Sequence, residues 1–259
     1  MEHIVHSGRE TAYRHTHPDG DGPTILYVHG SGGTHRVWVH QYGPRGPAHP
    51  AVALDLSGHG DSEDIDTEPG PETLSAYATD VAAVADETDA DVLVGNSLGG
   101  AVIFEVLLEG HYEPQGIVLA GTGAKLAVNE MIRTLLRDDF EQFVELLHQE
   151  SRFLVDPDDD LVRNSTATLE AVGQQVTERD FLTCHEFDVR DRLDEVDVPA
   201  LAVVGEYDSL TPPGYHDYFV DELPDCELAT IENAAHLAML EQPEAFNDAV
   251  SDFLDTLEA

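Results

Sequence analysis

Gly95-Asn96-Ser97-Leu98-Gly99-Gly100 decides how this chain is read. An apolar run, 91–94, precedes it, and a helix-like segment, 98–109, follows. A serine in G-x-S-x-G between strand and helix sits on a sharp turn, its hydroxyl held out at a sheet edge. Glycines are needed around such a turn because strand and helix approach too closely for side chains. The turn also puts Ser97 at a helix N-terminus, where the dipole favours developing negative charge. Ser97 is the candidate nucleophile.

Short apolar runs recur on both sides of this turn, at 24–28, Ala51–Leu54, 91–95, Gly116–Ala120 and Ala200–Gly205. They are unbroken rather than alternating, the pattern of strands buried on both faces of a parallel sheet. Helix-like segments lie between them, clearest at 72–87 and 98–109. Cys226–Ile231 reads as a last strand and Pro243–Leu257 as a closing helix. The alternation predicts an α/β fold, a mostly parallel central sheet flanked by helices. A chain of 259 residues suits one such domain. From 125 to 185 the rhythm breaks: amphipathic stretches such as 131–136 and 140–148 occur without a strand pattern. We expect a core made of 1–124 and 186–259, with 125–185 inserted as a helical lid. The insertion enters after a strand, at the carboxyl edge of the sheet, where ligands bind in such folds.

His29-Gly30-Ser31-Gly32-Gly33 follows directly on the run 24–28. A loop placed there can aim a backbone N–H at the nucleophile and, with the N–H of Leu98, form an oxyanion hole. Ser31 is the first choice for that donor and Gly32 the near alternative. The loop has neither the Lys-Ser/Thr ending of a P-loop nor the G-x-G-x-x-G register of a dinucleotide site. A base and its orienting acid should come from later loops at the same edge. His236 follows Cys226–Ile231 in Glu232-Asn233-Ala234-Ala235-His236, and Asp208 follows Ala200–Gly205 in Gly205-Glu206-Tyr207-Asp208. Position favours Asp208 over Glu206, Asp217 or Asp221, and the order Ser97, Asp208, His236 is the one expected after a G-x-S-x-G turn. Gly32, Trp38 and Asn96 are candidates for the pocket wall.

These residues together resemble the α/β-hydrolase family, in its carboxylesterase, cofactor-free haloperoxidase and carbon–carbon hydrolase group. The resemblance covers almost the whole chain outside the insertion. Asp55-Leu56-Ser57-Gly58-His59-Gly60-Asp61-Ser62 is similar to the family's D-x-x-G-x-G-x-S turn. The stretch 199–212, with Gly205, Asp208 and Pro212, resembles the acid-bearing segment; Ala235-His236 with Glu241, Pro243 and Phe246 resembles the histidine loop and closing helix. The resemblance implies a Ser-His-Asp triad that cleaves an ester of a small or medium carboxylic acid through an acyl-enzyme, with water as co-substrate and no cofactor. Haloalkane dehalogenases and epoxide hydrolases of this fold attack with an aspartate where this chain has Ser97. An alternative is hydrolysis of carbon–carbon bonds in enol-keto acids, which calls for a cation facing the substrate carboxylate; Arg133, Arg137 or Arg152 could supply it. A second alternative, of another class, is a sensor that keeps the pocket without the chemistry. His59 reads as a structural loop residue. The pairs His15/His17 and His3/His6 have no companion ligands at zinc-like spacing, so no metal is expected.

The charge sets a condition on all of this. There are 52 acids and 12 bases, a net charge of −40, and the bases are Lys125 and eleven arginines. The carboxylates recur along the whole chain, which is the pattern of a hydrated acidic surface rather than of a binding tail. At ~1 M salt the Debye length is ~3 Å, so repulsion among such charges largely vanishes. The composition predicts a halophilic, haloarchaeal, cytoplasmic protein and argues against nucleic acid, since there is no basic patch to release counterions. Cys184 and Cys226 are expected to be buried, unlinked thiols. MEHIVHSGRE has neither a basic start nor an apolar stretch, so no signal peptide is expected, and no apolar run approaches the ~20 residues of a membrane span.

Overall fold

The computed structural model describes residues 1–44, 46–47, 49–148 and 153–257. Strands β1 (Glu2–His6), β2 (Arg9–Thr16), β3 (Ile25–Val28), β4 (Ala51–Leu54), β5 (Val92–Asn96), β6 (Gly116–Ala120), β7 (Ala200–Gly205) and β8 (Cys226–Ile231) form one sheet. Their order is β1-β2-β4-β3-β5-β6-β7-β8. From β4 to β8 every neighbouring pair is parallel, and the antiparallel pairs are β1–β2 and β2–β4. The five strands expected from unbroken apolar runs are β3 to β7, and the last strand expected at Cys226–Ile231 is β8. The hairpin β1–β2 adds two more, and its residues explain why apolar runs do not reveal it. It sits at the sheet edge, and polar and charged residues interrupt its few apolar ones. Its turn is Ser7-Gly8, both with positive φ, as two-residue hairpins require.

The helices are α1 (Val39–Tyr42), α2 (Pro71–Thr88), α3 (Leu98–Leu108), α4 (Glu130–Asp138), α5 (Phe140–Leu147), α6 (Asp159–Val172), α7 (Gln174–Glu186), α8 (Pro213–Glu222), α9 (Ala238–Glu241) and α10 (Pro243–Leu257). Side chains alternate across each strand, so one strand feeds two cores. Leu26 and Val28 of β3 join Leu74 and Val81 of α2, Phe104 of α3 and Phe219 of α8. Ile25 and Tyr27 of the same strand join Trp38 and, from α10, Phe246 and Phe253 on the opposite face. Each fully buried large apolar side chain contributes roughly 1.5–3 kcal/mol, so both faces of the sheet are pinned.

Helices α4 to α7 lie between β6 and β7 and carry a small core of their own, with Ile132, Leu136, Phe143, Val144, Leu147 and Leu169. Their starts follow from local chemistry. Asn129, Asp139 and Asp158 each accept a backbone N–H in the first turn of α4, α5 and α6. At the root of the insertion Lys125 and Asp188 form a bridge, closed by an Nζ–Oδ2 contact of 2.8 Å. No described helix is long and apolar enough to cross a membrane.

Candidate active site

The elbow is as tight as its glycines suggest. Ser97 has φ 54° and ψ −116°, a left-handed conformation that a non-glycine residue holds only under constraint from its surroundings. A Cβ on Gly95 would lie 2.5 Å from the Gly99 backbone, and one on Gly99 would collide with the Val28 carbonyl. Hydrogen bonds hold the serine's backbone on both sides. Its N–H donates to Ala120 O at 3.0 Å, and its carbonyl accepts the Thr122 hydroxyl at 2.8 Å.

Asp208 lies just past β7 and is buried. Its Oδ2 accepts from His236 Nδ1 at 2.9 Å and from the Thr211 hydroxyl at 2.8 Å. Its Oδ1 accepts the N–H groups of Leu210 and Thr211. Burial alone pushes this carboxyl up, but the His236 ring and the Thr211 donors outweigh it and hold Asp208 below its ordinary value. With Nδ1 turned to Asp208, the other ring nitrogen of His236 is left for the cavity, whose wall includes both Ser97 and His236. The histidine loop is fastened from behind by Glu241, which accepts the N–H groups of Ala235 and Val155.

Asn96 lines the cavity but is nearly buried. Its Nδ2 donates to Ala120 O at 3.2 Å and to His236 O at 3.4 Å, tying the elbow to the histidine loop. Gly30 abuts Ser97 closely enough that a Cβ there would lie 3.1 Å from the Ser97 Cβ. Ser31 and Gly32 are on the cavity wall, whereas Leu98 is buried under the first turn of α3. The Gly32 N–H is engaged: it donates to Asp180 Oδ2 at 2.9 Å. Of the two candidate loop donors, Ser31 has an N–H that donates to no other backbone group among the described residues. Trp38 corrects the expectation for the pocket wall. It is fully buried in the core, its ring 5.0 Å from Tyr27 and 6.0 Å from Phe246, because its turn packs down on the sheet beneath α10.

Asp180 on α7 is the residue that sequence reasoning missed. It is fully buried and accepts from Gly32 N–H, from His59 Nε2 at 2.9 Å and from the Tyr77 hydroxyl at 2.7 Å. Burial works against an imidazolium at His59, but the Asp180 carboxylate overrides it and raises the histidine above its ordinary value. Among 52 acids nothing local marks Asp180; its partners are about 100 residues or more away in sequence. His59 is the structural residue expected. Cys184 and Cys226 are unlinked, Cys184 buried and Cys226 only half-buried. Burial pushes the Cys184 thiol up to about 12, so it is a packing residue rather than a nucleophile.

The cavity encloses about 1160 Å³, above the usual 300–1,000 Å³ of a small-molecule site. The insertion supplies part of its wall, including Ile132, Leu147, Phe153 and Phe181. Arg133 and Arg137 are not on that wall, and Arg137 is paired with Asp138 at the surface. Arg152 lies outside the described residues.

Comparison with known proteins agrees with this geometry. The model of the "Alpha/beta hydrolase family" matches residues 25–249. A pimeloyl-[acyl-carrier protein] methyl ester esterase of Neisseria meningitidis serogroup A is 31% identical over 250 residues, which cover 89% of this chain and 76% of the relative. A 2-hydroxy-6-oxo-6-phenylhexa-2,4-dienoate hydrolase of Burkholderia cepacia is 26% identical over 260 residues, covering 93% of this chain and 90% of the relative. Among solved structures, a thermophilic esterase superposes with a TM-score of 0.86 at 28% identity, covering 99% of this chain and 97% of the other. The chain is therefore an enzyme of the alpha/beta hydrolase family.

Proposed function

We propose that the protein is a serine esterase, acting on an ester of a small or medium carboxylic acid, with Ser97, His236 and Asp208 as its triad. One observation carries the reading: Asp208 Oδ2 holds His236 Nδ1 at 2.9 Å, and the ring faces the same cavity as the strained Ser97. His236 takes the Ser97 proton as Oγ attacks the carbonyl carbon, and Asp208 stabilises the imidazolium that results. The N–H groups of Ser31 and Leu98 receive the oxyanion; neither donates to another backbone group among the described residues. The proton on His236 passes to the departing alcohol, and the same histidine then activates water to release the acyl-enzyme. The helices of 125–185 act as a lid over this site.

The named relatives support an ester bond. One is a methyl ester esterase, and a solved neighbour is an esterase. The carbon–carbon hydrolase alternative has a relative too, but none of the described arginines of 125–185 lines the cavity, and the two that do, Arg14 and Arg36, stand on other elements away from Ser97. A surface carrying nearly all of 52 carboxylates supports adaptation to molar salt, since only Asp55, Asp80, Asp180 and Asp208 are buried among the described acids. The test is Ser97→Ala, assayed with short-chain nitrophenyl esters in molar salt beside fluorophosphonate labelling. Loss of both turnover and label is expected, and undiminished ester hydrolysis would sink the assignment.

A further inference from the structure

The cavity that holds Ser97 and His236 continues past the 30–33 loop to Arg14, Arg36, His40 and Tyr42. Arg14 is on β2, Arg36 in the turn His35–Trp38, and both are exposed. The Arg14 guanidinium stands over the Tyr42 ring, 5.3 Å from its centroid. Burial and the Asp55 carboxylate raise the Tyr42 phenol, and the charges of Arg14 and Arg36 pull against that rise.

Neither arginine has a carboxylate within 4.0 Å among the described residues. Seven of the ten described basic side chains do have one. With 52 acids available, an exposed arginine readily finds a partner, so two left unpaired on one cavity wall stand out. The wall also includes Asp61, Asp158 and Asp160, of which Asp160 is taken by Arg163. A planar guanidinium offers paired donors that match a carboxylate or phosphate, and an incoming anion would meet two of them here.

Sheet register sets the distance. Arg14 is level with Ala53, Ala53 with Tyr27, and Tyr27 with Val94, three strand spacings apart. Ser97 lies three residues beyond Val94. At about 4.8 Å per strand and about 3.3 Å per residue, the Arg14 and Ser97 backbones are about 17 Å apart. An elongated substrate can touch both ends.

We propose that Arg14 and Arg36 form an anion-binding subsite at the far end of this cavity, and that the natural substrate is an ester whose remote end carries a carboxylate or a phosphate. The proposal rests on Ser97 as the nucleophile and adds the chemistry of the other end of the substrate. Both arginines are exposed, so salt screens their attraction at a distance, and the subsite acts through direct hydrogen-bonded contact.

The experiment compares methyl esters of graded chain length that end in a carboxylate, a phosphate or a neutral amide. Wild type, Arg14→Gln, Arg36→Gln and the double variant are assayed at one fixed salt concentration. Wild type is expected to prefer an anionic end at one chain length, and the favoured anion identifies the source. The double variant should lose about 10- to 100-fold in kcat/KM on that ester, mainly through KM. Its turnover of nitrophenyl acetate and its fluorophosphonate labelling should be unchanged. Equal turnover of anionic and neutral esters by wild type, or an undiminished preference in the double variant, overturns the subsite. Calorimetric titration of the matching dicarboxylate against its diamide tests the subsite without turnover. Equal affinities overturn it even where Ser97 is labelled, whereas loss of labelling with unequal affinities overturns only the nucleophile.

Discussion

Asp180 accepts the backbone N–H of Gly32 at 2.9 Å, so a helix of the insertion holds the loop that lies against Ser97. The same carboxylate binds His59 and Tyr77, which leaves it no freedom to swing. The loop between β3 and the turn His35–Trp38 is thus positioned by a residue that lies far beyond it in the chain, on α7. With the Gly32 N–H engaged, Ser31 is left as the loop's candidate oxyanion donor.

Replacing Asp180 by Asn removes a buried charge and leaves His59 without its anion. Breaking such a pair costs about 3–5 kcal/mol, on the order of 10 °C in melting temperature for a chain this size. Below that temperature we expect kcat on a nitrophenyl ester to fall by about 10-fold, with KM nearly unchanged, because loop placement matters most in the transition state. A fall in melting temperature with unaltered kcat would show that Asp180 supports the fold but not the loop.

Asp208→Asn keeps the shape of the acid but no longer fixes the His236 tautomer. In a triad this costs about 10⁴ in kcat. The side-chain oxygen of the substituted amide can still accept the Leu210 and Thr211 N–H groups, so the loop should survive. Circular dichroism should match wild type while ester hydrolysis nearly disappears.

Stability should fall at both ends of the pH range. Burial pushes Asp55, Asp180 and Asp208 up, yet histidine partners and backbone donors hold each below its ordinary value of 3.8. Such groups stabilise the fold above that value and lose their contribution as pH falls through the folded one. His59 has the opposite sign. Its folded value is raised above 6.5, so its contribution is complete below 6.5 and fades as pH rises through the folded value. His59 and Asp180 share one interaction, counted once. Thermal melts across the range from acid to alkali should show the acid loss and a shallower alkaline loss, and Asp180→Asn should remove the part of the alkaline loss that begins just above 6.5, leaving that of the buried thiol and phenols at higher pH.

Salt should stabilise the fold. With a net charge of −40 and few buried acids, self-repulsion is a surface effect that added salt removes. The melting temperature in molar potassium chloride should exceed that in dilute buffer by roughly 10 °C or more, a few kcal/mol for a chain this size. Equal values would show that the surface charge is tolerated rather than required.

The parallel strands β3 to β7 and the elbow at Ser97 were legible from residues alone, because each is dictated locally. An unbroken apolar run must be buried on both faces, and a left-handed serine between close-packed elements needs its glycines. That His236 and Asp208 meet was legible by position, since every parallel strand ends at the same sheet edge. The β1–β2 hairpin was obscured by its polar edge, although Ser7-Gly8 marked its turn. Trp38 shows the limit of reading a side chain without its neighbours: whether an aromatic faces a cavity or a core depends on which helix covers it, here α10. Asp180 was invisible for a related reason. A carboxylate becomes special when folding strips it of water and surrounds it with Gly32, His59 and Tyr77, and no spacing within the chain records that. The same holds for Arg14 and Arg36, ordinary as letters, which only the packing of a strand, a turn and Tyr42 sets on one cavity wall.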